Sequence, residues 1–99
     1  MFRDIPDVAG RGVAASVGVV PTFLLCHRHA AKECRFAYAA WKGTESPLRH
    51  RPAVSSCSKG GHMVWWTVEA SDAHAALSQL PGYVADRTDA IEVAEVPIP

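Results

Sequence analysis

The sequence predicts an α+β domain of order β-α-β-β-α-β, with a four-stranded antiparallel sheet and two helices on one of its faces. Three observations carry this. The stretch Gly60-Gly61-His62-Met63-Val64-Trp65-Trp66-Thr67-Val68-Glu69-Ala70 opens on two turn-forming glycines and continues as β-branched and aromatic residues, the composition of a strand. Bulk on both of its faces marks it as the central strand, covered on both sides. Two segments with helical spacing, Ala30–Lys42 and Asp72–Leu80, alternate with strand-like segments. A chain of 99 residues has room for one such domain, of a size at which pairing with a second copy adds needed burial.

Residues 1–18 carry no periodicity and read as a poorly ordered leader, with the domain spanning 19–99. The uncharged run Val13 to Cys26 is broken by Pro21, is shorter than a bilayer-spanning helix, and is followed by no clean cleavage site. Leu25 before Cys26 is too large for a lipoprotein site. Pro21–His27 is the first strand, with proline tolerated at its start. In Ala30–Lys42, Cys34, Ala37, Tyr38 and Trp41 fall on one apolar face, which assigns Cys34 to packing, and Gly43 stops the helix. Thr44–Pro52 is a polar loop carrying Arg49-His50-Arg51. Ala53–Cys57 reads as a short strand, and Ser58-Lys59-Gly60-Gly61 as a hairpin turn into the central strand. Ser71 is placed as the N-cap of the helix Asp72–Leu80, whose inner face is Ala73, Ala76, Leu77 and Leu80. Pro81-Gly82 breaks it, Tyr83–Arg87 adds a turn, and Ala90–Ile98 forms the last strand. This order is the ferredoxin-like split arrangement. Helices on one face leave the other bare, presenting either Met63 and Trp65 or Val64 and Trp66. Two copies packed through that face would form a homodimer, a dimeric α/β barrel with clefts beside the seam.

Formal charge is zero, which argues against a nucleic-acid partner held by a broad basic field. The charge is segregated: seven Lys/Arg stand against two acids from His27 to Lys59, and six acids against Arg87 from Gly60 onward. Such a basic rim suits a small anionic ligand or self-complementary pairing of subunits. Cys26, Cys34 and Cys57 are odd in number and lack a CxxC, so they indicate a reducing, cytoplasmic setting and not a disulfide framework. No membrane association is expected, and without a Walker or Rossmann glycine pattern no nucleotide cofactor either.

The densest polar cluster is Cys26-His27-Arg28-His29, at the end of an apolar strand. On a strand His27 and His29 share one face and Cys26 and Arg28 the other. Two imidazoles so spaced reach one divalent transition metal, with Cys26 beside them and a further ligand from His50, His62 or Cys57; as strand-end residues they simply hydrogen-bond. His62 sits in open, glycine-flanked backbone, either as an acid or base of near-neutral pKa or as a turn residue. One of Trp65 and Trp66 points away from the helices, to line a ligand pocket or the dimer seam. Glu69 ends the strand as a pocket acid or a solvent carboxylate. Cys57 lacks the setting of a nucleophile.

From about Pro21 onward the chain resembles the dimeric α/β-barrel superfamily. Arg49-His50, Gly61-His62 before a strand, and Ala76-Leu77-Ser78-Gln79-Leu80-Pro81 are similar to the pattern of muconolactone isomerase. Gly82-Tyr83-Val84-Ala85-Asp86-Arg87 followed by Ile91-Glu92-Val93 resembles small nickel-binding actinobacterial proteins. The first resemblance implies a cofactor-free isomerase that moves a proton on a small acidic metabolite. His62 and His50 would serve as acid and base, Arg49 or Arg28 would hold the carboxylate, and Trp65 and Glu69 would line the pocket. The second implies nickel binding, and the residues themselves offer Cys26 to His29 as the cluster for nickel or zinc, although that cluster is not part of the resemblance. A non-catalytic ligand-binding accessory protein is the third reading, since the same fold serves many activities.

Overall fold

The computed structural model describes residues 20–99, so the expected leader lies outside the described residues. Four strands form one antiparallel sheet: β1 (Thr22–Arg28), β2 (Val54–Ser55), β3 (Met63–Glu69) and β4 (Thr88–Val93). Their spatial order is β2-β3-β1-β4. β3 is therefore inserted between β1 and β2, which run parallel, and β1 is inserted between β3 and β4. Among the described residues there are also three short helices: α1 (Cys34–Ala39), α2 (Ala73–Leu77) and α3 (Gly82–Ala85). Single 3-10 turns precede α1 at Ala31–Glu33 and β3 at Cys57–Lys59.

Strict alternation divides the sheet. Phe23, Leu25 and His27 of β1 face the helices, opposite Val68, Trp66 and Val64 of β3. Phe23, Leu25 and Val68 pack with Ala76 of α2, Leu80 and Val84 of α3, while Ala40 and Trp41 cover them from the end of α1. All three helices thus lie on one face. The opposite face carries Leu24, Cys26, Met63, Trp65, Ile91 and Val93, with Ile91 49% and Val93 36% exposed. Of the two alternatives, Met63 and Trp65 point to the side that no helix of the described residues covers.

Element lengths differ from the expected ones for local reasons. The segment Ala30–Lys42 splits into a 3-10 turn and the shorter α1, and Gly43 at φ 82° ends the following turns. Asp72, not Ser71, caps α2: its backbone is extended and its carboxylate accepts from the Ala75 N–H at 2.8 Å. α2 stops at Leu77 because Leu80 precedes Pro81, and a residue before proline is pushed out of helical conformation. β4 begins at Thr88 and ends at Val93, which pairs with Thr22, the first residue of β1. Pro21 has no N–H with which to extend that ladder.

Candidate metal centre

Two sequence brackets converge at the Arg28 end of β1. The first follows β1 directly. The chain remains extended past Arg28, and the His29 N–H donates to the His62 carbonyl at 3.2 Å. Alternation puts His27 and His29 on the helix side, where they are 1% and 4% exposed, and Cys26 and Arg28 on the other. Five residues beyond His29, Cys34 opens α1. The Glu33 carboxylate accepts from the Ala30 N–H at 2.8 Å, which sets the direction of the turn between His29 and Cys34.

The second bracket is the connection from β2 to β3. Cys57 opens the 3-10 turn, and Gly60 closes it at φ 87°, a left-handed position. Ser56 holds both ends of the loop. Its N–H donates to the Met63 carbonyl at 2.8 Å, its carbonyl accepts from Gly61 N–H at 2.9 Å, and its hydroxyl accepts from Met63 N–H at 3.1 Å. A Cβ on Gly61 would collide with Ser56, so this packing requires glycine. His62 then takes φ 55°, unusual for a residue with a Cβ and costing on the order of 1 kcal/mol.

These brackets bring four donors together. One ligand atom from each of His29, Cys34, Cys57 and His62 lies within 4.8 Å of all the others. His29 Nε2 is 3.5 Å from Cys57 Sγ, and the His29 and His62 rings are 5.6 Å apart at their centroids. His62 Nδ1 is buried with no hydrogen-bond partner among the described residues. A polar atom so placed costs roughly 1–3 kcal/mol unless something ligates it. Burial pushes the Cys57 thiol up, but hydrogen bonds from Ser55, Tyr38 and Cys34 outweigh burial and leave it below the ordinary cysteine value. Burial, then the charge and hydrogen bond of Cys57, raise Cys34. Burial lowers His29, as does the neighbouring His62, so its imidazole is neutral near pH 7, the form that binds metals.

Behind the donors lies His27. Its Nδ1 is 3.2 Å from the Val84 carbonyl and 3.1 Å from Thr88 Oγ1, and its Nε2 is 2.9 Å from His29 Nδ1. Burial is again the main cause of its lowered pKa. An apolar cavity of about 20 Å³, room for one water, separates the two histidines from Tyr38, Trp41 and Trp66.

The residues singled out from sequence are distributed as follows. His29 and His62 enter the cluster, and His27 stands directly behind it. Cys26 lies on the bare sheet face with Arg28, whose Nη2 donates to Met63 Sδ at 3.4 Å. His50 is exposed at φ 68° in the loop before β2, and Arg49 beside it is half-buried. Glu69 is exposed at the far end of β3, paired with Thr22. Trp65 lines a cavity of about 300 Å³ with Leu24, Leu48, Arg51, Pro52 and Val54. Sequence reasoning assigned Cys34 to packing and not to this cluster, and considered Cys57 only as a remote partner. The signal was present as mirrored spacing, His29-x4-Cys34 and Cys57-x4-His62. Comparison with protein-family models, curated proteins and solved structures finds no match.

Proposed function

We propose that the protein binds a divalent transition metal, zinc by preference, at a four-donor centre made of His29, Cys34, Cys57 and His62. The observation that carries this reading is the convergence of two thiols and two imidazoles from separate segments within 4.8 Å. Zinc bonds of about 2.0–2.3 Å to nitrogen and sulfur give tetrahedral edges of about 3.3–3.8 Å. The widest separation of 4.8 Å needs to contract by about 1.0–1.5 Å to meet them. Two thiolates balance the charge of the ion, and their softness favours zinc over magnesium or calcium. Four protein donors close the coordination sphere, which suits a structural role or metal carriage more than catalysis at the ion. Thiolate ligands also need a reducing compartment, in keeping with the cytoplasmic setting read from the cysteines.

The test is metal analysis of protein purified without added chelator, followed by cobalt substitution. One metal per chain and a thiolate-to-cobalt absorption that disappears in Cys34→Ser and Cys57→Ser are expected. A wild-type protein that takes up no zinc or cobalt at micromolar concentration would sink the reading.

The finer fold assignment and the homodimer belong to the same proposal. The insertion of β3 between β1 and β2, with all helices on one face, supports the ferredoxin-like split arrangement. The apolar face of Leu24, Trp65, Ile91 and Val93 supports pairing with a second copy, as in a dimeric α/β barrel. The groove where Arg51 meets Trp65 supports a small anionic ligand as a second occupant of that side. Isothermal titration with small aromatic and aliphatic acids, on wild type and Arg51→Ala, tests that second reading.

A further inference from the structure

We propose that His27 is a positioning residue for this centre: it holds His29 in the tautomer that offers Nε2, and not Nδ1, to the metal. The inference rests on the metal reading above and deepens it. The Val84 carbonyl has no hydrogen, so it can only accept. It already accepts from the Thr88 hydroxyl at 2.6 Å, which uses the hydroxyl proton. His27 Nδ1 lies 3.2 Å from that carbonyl and 3.1 Å from the hydroxyl oxygen. An unprotonated Nδ1 would set a lone pair against the carbonyl. Nδ1 therefore carries the proton and donates to these oxygens.

The rest of the chain of protons follows. With Nδ1 protonated, a neutral His27 has a bare Nε2, which must accept. The atom 2.9 Å away is His29 Nδ1, so His29 donates from Nδ1. His29 Nε2 is then bare as well, and it is the nitrogen that points at Cys57 Sγ. Metal-bound histidines commonly donate their second ring N–H to an acceptor that fixes the ring and raises its basicity. Here that acceptor is another imidazole, itself anchored to the end of α3 and the start of β4. His27 lies in the same sequence cluster as His29, yet both of its nitrogens are occupied away from the metal. It supports the centre without ligating it.

Two measurements test this. Long-range nitrogen–proton correlation spectra of ¹⁵N-histidine-labelled protein, with and without one equivalent of zinc, read each tautomer without any substitution. Protonated Nδ1 on both His27 and His29, with zinc shifting His29 Nε2, is expected. Protonated Nε2 on His29, or zinc on its Nδ1, overturns the proposal. The second measurement is zinc affinity by competition with a chromophoric chelator. His27→Phe removes the acceptor and is expected to weaken binding by about 10- to 100-fold. His27→Gln, whose amide oxygen can accept from His29, is expected to recover most of the loss. Wild-type affinity in a folded His27→Phe protein overturns the proposal while leaving the metal centre standing. Failure of the wild type to bind zinc overturns both, and the two failures are thereby distinguished.

Discussion

Cys26, Cys34 and Cys57 are chemically alike and differ only in where the backbone sends them. Cys26 alternates onto the bare sheet face, whereas Cys34 and Cys57 face the same pair of imidazoles. Replacing each by serine should separate them. Cys26→Ser is expected to bind zinc as the wild type does, while Cys34→Ser and Cys57→Ser lose more than about 100-fold, beyond the range of outer-shell changes. The same competition titration reads all three. His27 and His29 add a pH signature in the metal-free protein. Both have lowered pKa values, chiefly from burial, so the folded state binds protons less readily than the unfolded chain. Their contribution to stability is complete above the unfolded value of about 6.5 and is lost as pH falls through it. Urea midpoints measured in chelator should therefore decline from pH 7.5 to pH 5.5. The alternation of His27 and His29 was legible in the sequence because a strand has a strict period of two. The place of Cys34 in the cluster was not, because a cysteine on the apolar stripe of a helix has the same spacing whether it packs or meets other donors.

Among the elements, the loop from Cys57 to His62 is the most demanding. It sets two donors five residues apart by means of one left-handed glycine, one left-handed histidine and a glycine pressed against Ser56. Gly61→Ala places a methyl group where the Ser56 side chain sits, so the loop must open. A loss of roughly 1–3 kcal/mol in chemical denaturation is expected, accompanied by weaker zinc binding. The helices depend on different devices. α2 has one turn and a half, and Asp72 satisfies its Ala75 N–H. Asp72→Ala should cost about 1 kcal/mol with no change in zinc affinity, which makes it a control for the loop variant. Strands and helices were legible in kind and order because apolar periodicity marks them. Their ends were not, since each end is set by a partner outside the segment: Thr22 limits β4, and Pro21 limits Thr22.

At the scale of the whole molecule, a small domain gains most from whatever covers its bare face and ties its loops. The described sheet is two-sided, with helices on Phe23, Leu25 and Val68; on the other face no helix of residues 20–99 lies over Leu24, Trp65 and Ile91, although the stretch from Leu48 to Val54 borders Leu24 and Trp65. Burying apolar area stabilises by roughly 25 cal/mol per Å², so a second copy over this face adds several kcal/mol that one chain lacks. A half-buried tryptophan near the middle of the face is the natural anchor for such a contact. Trp65 meets this description: it pairs with Cys26 on the adjacent strand and shares its face, on the opposite side of the sheet from the His/Cys cluster. Trp65→Glu places a carboxylate in the proposed seam while leaving the cluster on the other side intact. Sedimentation equilibrium at micromolar concentration is expected to report a dimer for the wild type and a monomer for Trp65→Glu, with zinc still bound one per chain. A wild-type monomer under those conditions removes the seam, and with it the barrel. Loss of zinc from a monomeric Trp65→Glu would instead show that the two faces are coupled through β1 and β3.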